Sequence, residues 1–277
     1  MPSAFGAALI LLLGAATAAA QSREFSRTVD LQPGGALRIV GTKGSMRVTS
    51  WNEPRVEVRA RIERPEGVDA DYAARAVEAT EIDVTGDAQS VTVATDYEQV
   101  PARSGFGRWG DRTVPPVHYE IRAPRRIRLS VSSDRGPADV SGFEGDFDIV
   151  TDRGELRLRD IAGDVRVEID RGEHSRLEGV RGSLRLNADR SDVDIDAPAL
   201  DRDSRIEIDR GDVELRVPEA QRLTVRTDIS RRGDFSTDLP IEWSSPDIRR
   251  AEGRINGGGA ELFVEADRAR VDVRRRR

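Results

Sequence analysis

The chain contains no cysteine. Disulfides and thiolate metal sites are therefore excluded, and stability has to come from packing and backbone hydrogen bonds. Histidine is almost as scarce, because His118 and His174 are the only two and lie in separate segments. Neither has the spacing of a catalytic triad or a metal site around it. We therefore expect no metal and no cofactor.

Aromatic residues make up only 5% of the chain, whereas 34% of the residues are charged. The core should therefore be thin and built from valine, isoleucine, leucine and alanine. The net charge of -6 argues against nucleic-acid binding, which needs a basic face. It favours solubility.

Long apolar runs are absent after residue 20. Ala7–Gly14 is apolar and is followed by small residues up to Ala20, a pattern typical of a secretory signal peptide. The run is shorter than the roughly 20 residues of a transmembrane helix. We expect a signal peptide at 1–20 and an exported protein, periplasmic or extracellular, without a transmembrane segment.

A short repeat dominates the sequence between Ser133 and Val217. The tripeptide Asp-Arg-Gly, once varied to Asp-Arg-Ser, recurs every 18 to 20 residues, and a second set of glycines falls midway. Self-similarity at this period indicates a solenoid, in which each coil buries its apolar face by stacking on its neighbours.

Apolar residues alternate with charged ones inside the repeat. Except after Gly172, the positions two and four residues beyond each repeat glycine or its substitute are apolar: Ala138, Val140, Phe147, Ile149, Leu156, Leu158, Val165, Val167, Leu184, Leu186, Val193, Ile195, Ile206, Ile208, Val213 and Leu215. This period of two predicts strands with one buried face. We predict an all-β protein with a parallel β-solenoid or β-roll over residues 129–273, with two strands in each coil of about 18–20 residues.

One half-coil departs from the pattern. Two residues beyond Gly172 stands His174, and the interval to the next glycine is ten residues instead of nine. An inserted residue, or bulge, would turn Ser175 and Leu177 inward and leave His174 outside. The alternative is that His174 contacts a ligand, since bulges often lie beside functional sites.

Residues 21–128 form a less regular β segment. A short helix is predicted over residues 69–81 from an acidic start and alanine-rich composition, and it could cover a sheet face or the end of the roll. The predicted strands alternate or carry β-branched residues: Thr28–Leu31, Ala36–Val40, Ser45–Ser50, Arg55–Ile62, Ser90–Thr95 and Val117–Arg122.

Several short motifs resemble the DUF4097 family, a β-strand-repeat group of adhesin-like exported proteins. They are Phe25–Leu31, Gly35–Leu37, Gly44–Val48 leading to Trp51 and Arg55–Val58, Val117–Pro124 and Ile255–Gly259. The resemblance implies a non-catalytic surface or envelope protein and brings no catalytic residues. The Asp-Arg-Gly corners depart from the commoner Asn-Gly or Ser-Gly corners of the family.

Stacked Asp-Arg-Gly turns are the first candidate site. Register would place the aspartates in one column beside Arg135, Arg153, Arg171, Arg190 and Arg210. Because like charges at ladder distance repel, each aspartate should pair with a neighbouring arginine, which gives a self-neutralising ladder. The alternatives are a comb of guanidinium groups that binds an anionic polysaccharide, and a calcium site, although the usual calcium-roll motif is missing.

Two further segments are candidates for binding. The loop 101–116 carries Phe106 and Trp109 among glycines and arginines, which is typical of a binding surface, although such an insertion can also fold back onto the roll. The basic tail 274–277 could contact anionic lipid or glycan, or be a disordered end.

Two functions follow from these features. The first is an exported, non-catalytic binding or scaffold protein of the bacterial cell envelope, whose partner is an anionic polysaccharide or another envelope component. The alternative is a polysaccharide-cleaving β-helix enzyme. Glycoside hydrolysis needs two carboxylates at a defined separation in a cleft, whereas acidic residues here are spread along every coil beside arginine. We therefore expect no enzymatic activity.

Overall fold

The computed structural model describes residues 22–102, 113–172 and 174–276. Over these residues the protein has twenty-two strands joined in one mixed sheet, a single α-helix and one turn of 3₁₀ helix. The all-β prediction is therefore confirmed. The predicted signal peptide lies outside the described residues. No helix in the described ranges is long and apolar enough to cross a bilayer.

Residues 22–124 contain every strand that the sequence predicts there, and one more. The elements are β1 (Ser22–Asp30), β2 (Ala36–Lys43), β3 (Met46–Trp51), β4 (Arg55–Glu63), α1 (Ala70–Ala79), β5 (Glu81–Gly86), β6 (Ser90–Asp96) and β7 (Val117–Pro124). The additional strand is β5, which follows α1 directly.

The repeat region and the residues after it hold the other fifteen strands. The repeat forms β8 (Arg126–Arg135), β9 (Ala138–Ser141), β10 (Glu144–Arg153), β11 (Leu156–Arg159), β12 (Ala162–Ile169), β13 (His174–Glu178), β14 (Arg181–Ala188), β15 (Asp192–Asp196), β16 (Ala199–Leu200) and β17 (Ser204–Val217). The remaining elements are β18 (Leu223–Ile229), β19 (Asp234–Thr237), β20 (Ile241–Trp243), the 3₁₀ turn Ile248–Arg250, β21 (Glu252–Ile255) and β22 (Ala260–Arg275).

The strands form two parallel ladders. In the first ladder, β6, β2, β8, β10, β12 and β14 pair in that order, followed by the first halves of β17 and β22 and then β18. In the second ladder, β7, β3, β9, β11, β13 and β15 pair in that order, followed by the second halves of β17 and β22 and then β19. Strands β17 and β22 are long enough to take part in both ladders.

Antiparallel pairs make the sheet mixed, which differs from the uniformly parallel arrangement predicted over residues 129–273. Within that range β21 pairs antiparallel with β18 and with β20. Only residues 256–259 separate β21 from β22, whereas a parallel connection needs a dozen residues or more. The chain therefore reverses there, through the positive φ of Asn256 and Gly257.

The interior is aliphatic, as the alternation predicts. All sixteen predicted positions are at most 3% exposed and belong to one apolar cluster. Each buried valine, leucine or isoleucine contributes about 1.5 to 3 kcal/mol of transfer free energy. Burial between the ladders therefore holds the fold together without disulfides.

The predicted inward turn of Ser175 and Leu177 is confirmed. Ser175 and Leu177 are fully buried, whereas His174 is half-buried. The backbone N–H of Leu156 donates to the Ser175 hydroxyl at 3.2 Å, so the buried serine satisfies a backbone donor at the start of β11. The inward face of β13 therefore stays in register with the inward faces of its neighbours β11 and β15.

The helix α1 begins one residue later and ends two residues earlier than predicted. Its N-cap is Asp69, whose side chain accepts a hydrogen bond from the Tyr72 backbone N–H. The helix ends at Ala79 with Thr80 as its C-cap, because Glu81 already belongs to β5.

Glycine columns allow the coils to approach one another. A Cβ atom on Gly163 would lie 1.8 Å from the carbonyl oxygen of Gly145, and both residues have a φ of +140°. In the Asp-Arg-Ser turn the left-handed residue is Arg190, at φ +51°, so Ser191 can replace glycine there. The midway glycines are therefore required by contact between coils as well as by backbone conformation.

We expect Gly163→Ala to destabilise the protein by about 2 to 4 kcal/mol, because the methyl group forces two coils apart and the backbone is strained. The matched control is Gly67→Ala. Gly67 also has a positive φ but has no atom within 4 Å of a built Cβ, so its loss should be about 1 kcal/mol. Urea unfolding measures both changes. Equal losses would show that contact between coils does not constrain Gly163.

Candidate functional site

The Asp-Arg turns stack along the molecule where the chain passes from the first ladder to the second. Arg153 pairs in register with Arg135, and the backbone N–H of Arg171 donates to the Asp152 carbonyl oxygen at 2.7 Å. Equivalent side chains of successive coils therefore lie beside one another.

Each ladder arginine contacts the aspartate of its own turn, and several also reach the turn before. Arg153 lies 3.0 Å from Asp152 and 3.2 Å from Asp134. Arg171 lies 3.0 Å from Asp170 and 2.8 Å from Asp152. The other pairs within one turn are Arg135–Asp134 at 3.2 Å, Arg190–Asp189 at 2.9 Å and Arg210–Asp209 at 3.2 Å.

The ladder continues one step further than the sequence predicts. Arg268 donates to Asp209 at 2.9 Å and to Asp267 at 3.1 Å. A search for Asp-Arg-Gly misses this turn because Ala269 replaces the glycine. The dipeptide Asp-Arg was the signal that could have found it.

Ion pairing shifts the pKa values of Asp152 and Arg171 in the ladder. Desolvation alone would raise the pKa of Asp152, but the hydrogen bonds from Arg171 and Arg153 outweigh it and lower this pKa to about 2. The hydrogen bond to Asp152 raises the pKa of Arg171. The five ladder arginines nevertheless keep 42 to 49% of their side chains exposed. The guanidinium groups are thus paired along the column yet remain open to solvent.

Arginine suits this geometry better than lysine. Lys43 is the only lysine in the chain, and it pairs in register with Arg135 at the start of the ladder. A planar guanidinium can contact carboxylates of two turns in a fixed geometry, whereas an ammonium acts as a point charge.

A second set of arginines lies on the outer face of the first ladder. Arg166 pairs in register with Arg185, and Arg185 pairs in register with Arg205. We call these three residues the arginine column. All three are exposed. Like charges directly opposite one another destabilise a sheet, so repulsion between these guanidinium groups lowers the stability of the first ladder.

The arginine column is less neutralised than the ladder. The nearest carboxylate to Arg166 is Asp148, at 3.9 Å. Among the described residues Arg185 has no ion pair or side-chain hydrogen bond. Arg205 is the most engaged, because it pairs with two glutamates and lies 4.2 Å from the ring centroid of Phe263. The sequence indicates outward charges at these positions, but not their alignment.

The structure brings a serine to His118, which the sequence does not predict. The Ser45 hydroxyl lies 2.8 Å from His118 Nδ1, and Glu63 Oε2 lies 3.3 Å from His118 Nε2. A serine beside a histidine is typical of nucleophilic catalysis. However, the N–H groups of Gly44 and Met46, which flank Ser45, donate to carbonyl oxygens of the next coil. Neither can stabilise an oxyanion, so the trio serves to join the β2–β3 turn to β7.

The other histidine is also placed by an acidic residue. His174 Nε2 lies 2.9 Å from Asp194 Oδ2 on the neighbouring strand of the second ladder. This contact orients the imidazole along the outer face. A ligand contact at His174 stays a prediction.

The remaining candidates from the sequence are the two loop aromatics and the basic tail. Phe106 and Trp109 lie outside the described residues. Arg274 and Arg275 belong to β22, and Arg276 lies 2.8 Å from Asp196, which contradicts the disordered-end interpretation of residues 274–276. These arginines are held by strand pairing and ion pairs. Within the described ranges, no group of three or more potential ligands could hold a metal ion.

No protein-family model matches the chain, and no curated protein matches it. The DUF4097 resemblance therefore has no family-level match behind it.

Solved structures do resemble the chain at low identity. One is a "putative cell adhesion protein" from Clostridium sporogenes, with a TM-score of 0.39 and 9% identity, covering 92% of this chain and 100% of that one. A "putative adhesin" from Bacteroides fragilis has a TM-score of 0.27 and 10% identity, with coverages of 92% and 97%. A "putative lipid binding protein" from Parabacteroides distasonis has a TM-score of 0.32 and 9% identity, with the same coverages.

We expect acid to weaken the fold partly through Asp152. Its pKa of about 2 in the folded protein is below the ordinary value of about 3.9, so its contribution is complete above pH 4 and is lost as the pH falls towards 2. Asp152→Asn should therefore lose less stability between pH 5 and pH 2 than the wild type. Urea midpoints across this range measure the difference.

Arg171→Gln is the partner variant for the same measurement. It removes the largest interaction that lowers the pKa of Asp152, so its acid dependence should resemble that of Asp152→Asn. The double variant should add little to either change. Wild-type acid dependence in both single variants would contradict the pairing.

Proposed function

We propose that this protein is an exported, non-catalytic binding or scaffold protein of the bacterial cell envelope, with an anionic polysaccharide as its ligand. The observation that carries the proposal is the repetition of half-exposed guanidinium groups at fixed intervals along the stacked coils. A rigid, periodic array of cations matches a polymer whose acidic groups also repeat, because several weak contacts then form together.

We further propose that the frame of this array is a parallel β-solenoid with two strands in each coil. The two parallel ladders support this view, as does the offset of 18 to 20 residues between paired strands of the repeat. In such a frame each coil adds one step to every outward column of side chains.

The proposed ligand contacts include the ladder residues Arg135, Arg153, Arg171, Arg190 and Arg210, together with Phe106 and Trp109. Each ladder arginine has a carboxylate within 3.2 Å, so an anionic ligand has to compete with that aspartate. The contribution of each ladder residue should therefore be small, and it should fall as salt screens the contact.

The contacts of the ladder aspartates and of Ser45 support the proposal that the protein is not catalytic. The ladder aspartates are engaged with arginines rather than facing each other across a cleft. Ser45 has the neighbouring histidine of a nucleophile, but its flanking N–H groups are already used by backbone partners. The geometry therefore does not favour polysaccharide cleavage, and an assay for released reducing ends tests for it.

We expect the purified protein to be retained on immobilised polygalacturonate, less so on neutral dextran, and to release no reducing ends from the polymer. Retention should weaken as the salt concentration rises, because the contacts are between charges. Time-dependent release of reducing ends that disappears in Ser45→Ala or Glu63→Gln would contradict the non-catalytic assignment. Equal retention on dextran would contradict the anionic ligand.

A ladder variant tests the residues predicted from the sequence. Replacing Arg153, Arg171 and Arg190 by glutamine should weaken retention on polygalacturonate less than threefold and reduce its salt dependence. If neither quantity changes, the ladder is purely structural and the guanidinium-comb hypothesis is wrong.

A further inference from the structure

Two open depressions meet at the arginine column. One, of about 520 Å³, and another, of about 170 Å³, are both lined by Arg166 and Arg185. The larger one extends across β8 and β2 to Arg128 and Arg38, which are exposed and have no ion pair in the described parts of the chain. The two depressions share Arg166 and Arg185, and we call them together the channel.

We propose that the arginine column in this channel is the principal contact site for a polyuronate, through the sugar carboxylates. The inference rests on the proposed binding function and gives that function a place on the molecule. It differs from the ladder hypothesis, which places the contacts on the Asp-Arg turns.

The charge balance favours the column over the ladder. Among the residues that the structure describes, Arg171 in the ladder has carboxylates at 2.8 and 3.0 Å, whereas Arg166 has one at 3.9 Å and Arg185 has none within 4 Å. A ligand carboxylate at Arg185 therefore displaces no protein partner. It would also relieve the repulsion between guanidinium groups on adjacent strands, roughly 4.8 Å apart.

The surroundings of the column restrict the ligand. Glu168 and Glu207 line the smaller depression, and Asp146, Asp148 and Asp164 line the larger one. These carboxylates repel a densely charged polyanion. They leave room for a polymer with one acidic group per sugar, whose carboxylates lie over the arginines while its hydroxyl groups face the flanking acidic side chains.

Arg205 bounds the site at one end. Its guanidinium lies over the Phe263 ring and is shared with Glu207 and Glu265. These contacts fix the orientation of the side chain, so its planar face is ordered before a ligand arrives. Arg185, at the centre of the column and without a partner, should supply the largest single contribution.

The test compares two triple variants with the same change in net charge. One replaces Arg166, Arg185 and Arg205 by glutamine, and the matched control is the ladder triple described above. Binding of polygalacturonate to immobilised protein should weaken at least tenfold in the column triple and less than threefold in the ladder triple. The thermal midpoint of the column triple should change little, because removing the repulsion between arginines on adjacent strands offsets the loss of the exposed ion pairs of Arg205.

A single variant tests the same site if the column triple does not fold. Arg185→Gln removes an exposed side chain without a partner, so the fold should be unaffected and binding should weaken at least threefold. Arg185→Lys should recover part of the loss, since the charge is kept while the planar fork is not.

Each outcome decides the proposal. Equal losses in the two triples would show general charge attraction and overturn the column as a site, as would wild-type binding in the column triple. In both cases the binding function itself would stand. No binding of wild-type protein to any anionic glycan would overturn the proposed function and this inference together.

Discussion

Backbone pairing between neighbouring parallel strands is the constraint on which the rest of the structure depends. Parallel hydrogen bonds hold each strand at a fixed distance from its neighbour, and glycine at positions such as Gly145 and Gly163 lets the turns come equally close. Every outward or inward position then becomes a column of side chains. The same geometry produces the aliphatic core from one column, the Asp-Arg ladder from another and the arginine column from a third.

The two charged columns show that one geometry can have opposite electrostatic results. In the ladder each arginine has an aspartate beside it in sequence, so the turns neutralise one another and the pKa of Asp152 falls. Arg166 and Arg185 in the arginine column instead have apolar, inward-facing neighbours along their strands, so their neutralisation depends on more distant carboxylates. Binding capacity therefore depends on what lies next to each arginine along the chain, in addition to what lies across the sheet.

Sequence alone predicts the parts that repeat closely. The aliphatic alternation, the inward turn of Ser175 and the pairing within the Asp-Arg turns all follow from local pattern, and the structure contains each of them. The arginine column is different, because Arg166, Arg185 and Arg205 are aligned only once the inserted residue near Gly172 and the longer following coil are placed in register. The contact of Ser45 with His118 joins segments 73 residues apart and had no local signal, whereas Asn256-Gly257, a typical turn sequence, marks the reversal after β21.

The long strand β22 has a mechanical consequence. It runs beside β17 for most of its length, and also pairs with β18 and then β19. Tension applied along β22 would shear its backbone hydrogen bonds to β17, β18 and β19 at the same time, instead of breaking them one after another. A molecule that is tethered through β22 and pulled along that strand would therefore resist extension until many bonds failed together.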